Sequence, residues 1–205
     1  MIPATEALAR LREGNHRFMT NMEGNERRVV DPRLADHVSG QQPFAIILGC
    51  SDSRVPAEIV FDQGLGDLFV IRIAGNIVAQ SQIGSVEFAA TNFDTRLVVV
   101  LGHSSCGAVL ATLDELRHPA KSESKNLKFI VDRVRPSVEP LLATGLQHDA
   151  LVREAVRANV RASVRQLSHG SDILEQLIAQ EKLRVVGAEY SLQSGKVDFF
   201  DETAG

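Results

Sequence analysis

The chain has 205 residues, enough for one domain that buries roughly 70% of the surface its unfolded form exposes. With 44% hydrophobic and 23% charged residues it has the composition of a folded globular protein, which excludes a disordered one. A formal net charge of -4 argues against nucleic acid or an anionic membrane as the main partner, since both reward net positive charge.

The opening residues Met1-Ile2-Pro3-Ala4-Thr5-Glu6 lack the basic start and apolar core of a signal peptide. No later run approaches the ~20 apolar residues of a membrane span. A cytoplasmic location is therefore expected. In that reducing compartment the two cysteines, Cys50 and Cys106, point to metal binding or catalysis rather than to a disulfide.

From Thr5 to Met22, the residues Leu8, Leu11, Phe18 and Met22 recur at helical spacing, with Asn15 on the same stripe. This predicts an amphipathic arm whose inner face packs on another subunit, because a helix outside the first strand has little core of its own. Residues 24–42 are polar, and Asp31-Pro32 predicts a short helix after a loop. Residues 43–49 form a continuous apolar run from Pro43 to Gly49, the pattern of a strand buried on both faces. A helical turn over 55–61, a strand over 67–72 and a turn at Gly75-Asn76 follow.

Ile83, Val86, Ala90 and Phe93 share one helix face, and the β-branched run 96–101 predicts a third strand. Helices are expected over 105–116 and 125–134, the second broken off by Pro136 and Pro140. A long helix over 148–168 sets Val152, Val156, Val160 and Val164 beside Arg153, Arg157, Arg161 and Arg165; the arginines read as a solvated or ion-paired face. Ser171-Asp172 caps a further helix, 183–188 predicts a fourth strand, and Ser194-Gly195 turns the chain into an antiparallel edge strand over 196–200.

The expected fold is thus α/β: a mostly parallel central sheet of four strands plus an antiparallel edge strand, flanked by helices. Residues 1–40 form an N-terminal helical arm and 41–205 the α/β core of a single domain. In open parallel sheets, ligands bind beyond the carboxyl ends of strands where the winding reverses. Cys50 follows the first strand and His103 the third, so both fall where that rule places a site.

His103 and Cys106 are three apart at the expected start of a helix, so both side chains should face one point. With Cys50 they make a Cys2His set, which suits tetrahedral zinc and leaves one position for water or substrate. Asp52, two residues beyond Cys50, either fills that position or accepts a hydrogen bond from bound water, and Arg54 can hold Asp52 by a two-pronged bond. Two thiolates cancel the charge of Zn²⁺, so bound water is harder to ionise than at a three-histidine site. Arg54 and the helix N-terminus are candidates to offset this. Displacement of water by Asp52 would make the site a pH-dependent switch between an occupied and an open zinc.

Taken singly, each feature has a plainer reading: a cysteine at a strand end is usually packing, and Asp-x-Arg is usually a surface pair. A redox pair would show Cys-x-x-Cys, which is missing. His16, His37, His118, His148 and His169 share no ligand spacing and read as surface or cap residues. It is the conjunction at two strand ends that favours metal.

Cys-x-Asp-x-Arg from Cys50 to Arg54, followed by His-x-x-Cys-Gly from His103 to Gly107, resembles the β-class carbonic anhydrases. The likeness extends from Leu11-Arg-Glu-Gly-Asn-His-Arg-Phe18 through Phe61-Asp-Gln-Gly-Leu-Gly-Asp-Leu-Phe69 and Arg72-Ile-Ala-Gly-Asn76 to Val99-Val-Leu-Gly-His103. It implies one zinc per chain held by Cys50, His103 and Cys106, with Asp52 and Arg54 as a catalytic dyad and Asp52 a ligand only in a closed state. The implied reaction is reversible hydration of CO2 to bicarbonate by attack of zinc-bound hydroxide.

Within that family the chain is similar to the plant-like branch. The resemblance implies that Gln41 donates a hydrogen bond to substrate across a dimer interface. It also implies that Phe69 forms an apolar wall, that Gly107 sets a backbone N–H beside the metal, and that Phe88 replaces a common Tyr. Arg72 and Tyr190 match a regulatory bicarbonate pocket of another branch, but Ile47 stands in place of its Trp. A homodimer, or a homotetramer, is the implied assembly, with the N-terminal helix embracing the partner. Two competing readings are a hydrolase of COS or CS2 on the same scaffold and a non-catalytic zinc- or bicarbonate-binding module; retention of Asp52 and Arg54 disfavours the second.

Overall fold

The computed structural model describes residues 2–24, 38, 40–118 and 124–202. The expected helix start at Asp31-Pro32, and His37, lie outside the described residues. Helix α1 (Ala4–Gly24) leads into β1 (Ala45–Gly49), the single-turn α2 (Ala57–Val60) and β2 (Leu68–Arg72). A 3-10 turn (Ala74–Asn76), α3 (Gln80–Asn92), β3 (Leu97–His103) and α4 (Gly107–Arg117) follow. The chain closes with α5 (Lys125–Val138), a 3-10 turn (Glu139–Thr144), α6 (His148–His169), α7 (Asp172–Ala179), β4 (Arg184–Tyr190) and β5 (Val197–Glu202).

The five strands form one sheet in the order β2-β1-β3-β4-β5. All neighbours are parallel except β4 and β5, so the mixed sheet with an antiparallel edge is as expected. β1 and β3 are buried along their whole lengths, which explains why both read as unbroken apolar runs rather than alternating ones. The chain leaves β1 for β2 on one side and reaches β3 on the other. The winding therefore reverses between β1 and β3, and the carboxyl ends of those two strands open a crevice.

Strand alternation sends Ile47, Val99, Leu101, Val186 and Ala188 to one face, against α1 and α2. Ile46, Leu48, Val98, Val100 and Val185 point to the other, against Val86 of α3, Val160 and Val164 of α6 and Leu174 of α7. A third cluster, with Val109 and Leu113 of α4, Val134 and Val138 of α5 and Val156 of α6, closes around Cys50 and Cys106 beyond the strand ends. Helix α6 comes close to the sheet because β3 and β4 present Gly102 and Gly187 to it. A Cβ on Gly102 would lie 2.5 Å from Val160 Cγ2, well inside van der Waals contact.

Two expectations need correction. Helix α1 buries its inner face in its own chain: Ala7, Leu8 and Leu11 pack on the sheet with Phe61 and Leu97, each buried Leu contributing about 1.5–3 kcal/mol. The face was expected to need a partner because the length of the polar connection after it hides how the helix folds back. The side chain of Met22 lies outside those described. Helix α5 runs through Pro136 to Val138 instead of ending at 134. Proline there removes one hydrogen bond in the last turn, whereas Val134 and Val138 both bury completely; Pro140 then falls in the first turn of the next 3-10 segment, where a missing N–H is no loss.

Of the α6 arginines, expected to form a solvated or ion-paired face, Arg153 and Arg165 are exposed and Arg157 is ion-paired. Arg157 bonds Glu189 and Asp198, and Arg157 and Arg161 both stack over Phe200. His16, His118, His148 and His169 are exposed. Among the described residues no helix is long and apolar enough to cross a membrane.

Candidate metal centre

Cys50 leaves β1 immediately after Gly49, and His103 is the last residue of β3. The strand runs two residues further than its β-branched core predicts, so His103 sits on the sheet and not on a helix. Ser104 and Ser105 turn the chain, Ser105 with a positive φ of 55°, and Cys106 is the N-cap of α4. The turn, rather than a shared helix face, brings His103 and Cys106 together. Adjacent strand ends then bring Cys50 to them: the donor atoms of Cys50, His103 and Cys106 all lie within 4.8 Å of one another, and all three residues are buried.

This trio fits a divalent metal. An ion bonded at about 2.0–2.3 Å needs its ligands at roughly this mutual spacing. His103 Nδ1 lies 3.0 Å from the Ser104 carbonyl, which assigns its proton to Nδ1 and leaves Nε2 as the free donor. Nε2 is buried and without a hydrogen-bond partner, an arrangement that is costly unless something else binds it.

Asp52 stands at the rim. Its Oδ2 is 3.8 Å from His103 Nε2, and Arg54 grips both carboxylate oxygens, Nε donating to Oδ1 at 2.9 Å and Nη2 to Oδ2 at 2.7 Å. The Arg54 backbone N–H adds a third bond to Oδ1 at 3.0 Å. These bonds hold the Asp52 carboxyl well below the usual carboxylate range, so at neutral pH it only accepts hydrogen bonds. Arg72 secures the same loop from β2: its Nε donates to the Cys50 carbonyl at 3.0 Å and its Nη2 to the Asp52 carbonyl at 2.6 Å.

The two cysteines share one proton. The Cys106 thiol donates toward the Cys50 sulfur, and, against the opposing effect of burial, holds Cys50 down to about 4 with help from His103 and the N–H groups of Gly75 and Asp52. Cys106 is raised for the reciprocal reason, with burial adding to it. Burial disfavours a charged His103, but the Cys50 thiolate and Asp52 outweigh it and raise the imidazole.

The structure therefore gathers Cys50, Asp52, Arg54, His103 and Cys106, with Gly107 opening α4 directly beside them. Gln41, Phe69 and Phe88 stand elsewhere on this chain. Gln41 precedes the amino end of β1 and lines an open depression of about 430 Å³ with Gly40, Gly66 and Phe93. Phe93 in turn packs on Phe69 and Phe88, with ring centroids 6.1 and 5.6 Å away. Sequence reasoning missed the bonds of Arg72 to the Cys50 loop and the N–H that Gly75 donates to Cys50 Sγ at 3.4 Å. The apolar run ending at Arg72 did mark a strand end, but the aim of a turn 25 residues from Cys50 leaves no local signal.

Residues 45–197 match the family described as carbonic anhydrase. The chain is 41% identical to carbonic anhydrase 2 of Mycobacterium tuberculosis over 91% of its own length and 87% of the relative's. It is 40% identical to a carbonic anhydrase of Mycolicibacterium smegmatis over 92% of this chain and 89% of that one. Among solved structures it is similar to the β-carbonic anhydrase CafA of Aspergillus fumigatus, with a TM-score of 0.75 at 25% identity over 98% of this chain and 92% of the other. The β-carbonic anhydrase of Coccomyxa, solved with acetazolamide, gives a TM-score of 0.71 at 27% identity over 91% and 82%.

Proposed function

This chain belongs to the β-class carbonic anhydrases, and we propose that it converts CO2 reversibly to bicarbonate and a proton at a zinc ion held by Cys50, His103 and Cys106. The observation that carries this reading is the convergence of three buried metal-ligating atoms within 4.8 Å, one of them the unpartnered Nε2 of His103. Bound there, zinc would supply a Lewis acid able to make water nucleophilic at neutral pH.

The protein's own groups do the positioning. With Oδ1 engaged by two donors of Arg54 and Oδ2 by one, Asp52 keeps acceptor capacity on Oδ2, the oxygen facing His103. An O–H group lodged against the trio presents its proton to that oxygen and turns its lone pair outward, toward a linear electrophile such as CO2. The N–H of Gly107, at the start of α4, belongs to the helix donors left without intrahelical acceptors and suits a developing oxyanion. The 3.8 Å between Asp52 Oδ2 and His103 Nε2 also supports Asp52 as a fourth ligand in a closed state, reached by breaking its bonds to Arg54. Zinc-edge spectroscopy from neutral to alkaline pH tests that state, which an unchanged coordination shell would rule out.

We further propose a homodimer or larger homo-oligomer in which Gln41, Phe69 and Phe88 of one chain wall the site of the next. Their grouping in a separate patch supports this, as does the half-exposed Phe88 ring, since exposed apolar patches mark contact surfaces. The deciding experiment is stopped-flow CO2 hydration on protein of measured zinc content. Turnover should scale with zinc and vanish on chelation; fully loaded protein no faster than buffer would refute the reading.

A further inference from the structure

Asn159 is an amide in the middle of α6, 2% exposed and far in sequence from every motif residue. Its Nδ2 donates to the Gly75 carbonyl at 2.7 Å. One turn further along the same helix face, Ser163 Oγ donates to the Asn76 carbonyl at 2.9 Å. Both bonds hold the 3-10 turn Ala74–Asn76, whose Gly75 has a φ of 70° and whose Gly75 N–H donates to Cys50 Sγ. The turn has little room: a Cβ on Gly75 would lie 3.0 Å from Ala108 Cβ.

We infer that Asn159 is a positioning residue for the metal centre, its side-chain amide holding the Gly75 carbonyl and so the φ and ψ of Gly75, across whose Cα the Gly75 N–H is kept aimed at the Cys50 sulfur. A hydrogen bond to a thiolate draws electron density from sulfur and weakens its donation to a metal. In a site with two thiolates this preserves positive charge on the ion. The inward N–H of Gly75 is therefore one of the offsets that a Cys2His site needs, and Asn159 keeps it in place from the helix behind. The bond of Asn159 is to Gly75, and its effect on the trio passes through that residue.

The inference rests on the reading that Cys50 binds metal, and the test separates the two. Co²⁺-substituted wild-type protein should show a sulfur-to-cobalt charge-transfer band; its absence would overturn the metal reading itself. In Asn159→Leu, which keeps volume but removes the donor, the band should move to lower energy. Asn159→Ala, which removes the donor without adding volume, should move it in the same direction and carries the test if the Leu variant does not fold. Ser163→Ala loosens the same turn at the next carbonyl and is expected to lower stability with the band in place. A band unmoved in the folded Asn159 variants, or moved equally by Ser163→Ala, would overturn the assignment.

Discussion

At the scale of single residues the site is governed by where its charges sit. Asp52 is held ionised by Arg54, so Asp52→Asn keeps the shape but replaces one acceptor oxygen with a donor. CO2 turnover should fall on the order of 10²-fold with zinc content unchanged; metal analysis alongside stopped-flow kinetics checks both. The cysteines give a second prediction. In metal-free protein Cys50 ionises near 4 while Cys106 stays protonated, so thiolate ultraviolet absorbance should show one early titration. Cys106→Ala, which removes the main cause of the depression, should move that midpoint upward. The sign for stability follows: between about 4 and the unfolded value of 9.0 the folded chain binds fewer protons at Cys50 than the unfolded one. Metal-free protein therefore gains stability from this group as pH rises through that window and loses it as pH falls toward 4. Cys106, raised in the fold, contributes with the opposite sign above 9.0. Urea midpoints at about pH 5 and pH 6, below the range in which the raised His103 offsets this gain, should differ more in wild type than in Cys50→Ala.

At the scale of elements, one buried amide ties three of them. Asn15 of α1 donates to the Val60 carbonyl at 3.1 Å and the Gly195 carbonyl at 2.9 Å, and accepts from the Val197 N–H at 2.8 Å. Asn15→Leu leaves three buried backbone groups unpaired and should cost about 2–4 kcal/mol in urea unfolding; a loss below 1 kcal/mol would show that water or rearrangement replaces them. The sequence displayed this residue only as a polar gap in an apolar stripe, because the groups it binds are 45 to 182 residues away. The strands were legible, since β1 and β3 are buried on both faces and must be continuously apolar. The trio was legible too, because the winding rule puts ligands at the ends of just those strands. What local patterns do not carry is the turn that replaces a helix between His103 and Cys106, the persistence of α5 through Pro136, and the folding back of α1. Each is decided by burial against residues distant in the chain, which outweighs the local preference.

At the scale of the whole molecule, the proposed substrate groups divide between the two ends of β1. Cys50 stands just beyond Gly49 at the carboxyl end, whereas Gln41 precedes Ala45 at the amino end; the strand alone separates them by about 13 Å. A Gln41 that serves catalysis must therefore reach a neighbouring chain's site rather than its own. The proposal makes a prediction that a local role does not. Cys50→Ser protein should be inactive, and Gln41→Ala protein should lose up to about 10-fold in kcat/KM, the worth of one hydrogen bond. When the two are unfolded together and refolded as hybrids, each intact trio on a Gln41→Ala chain receives Gln41 from its Cys50→Ser partner. Turnover per zinc should then rise toward the wild-type value, although neither parent reaches it. If Gln41 acted within its own chain, hybrids would show the Gln41→Ala value per zinc and no more, and the shared site would be excluded.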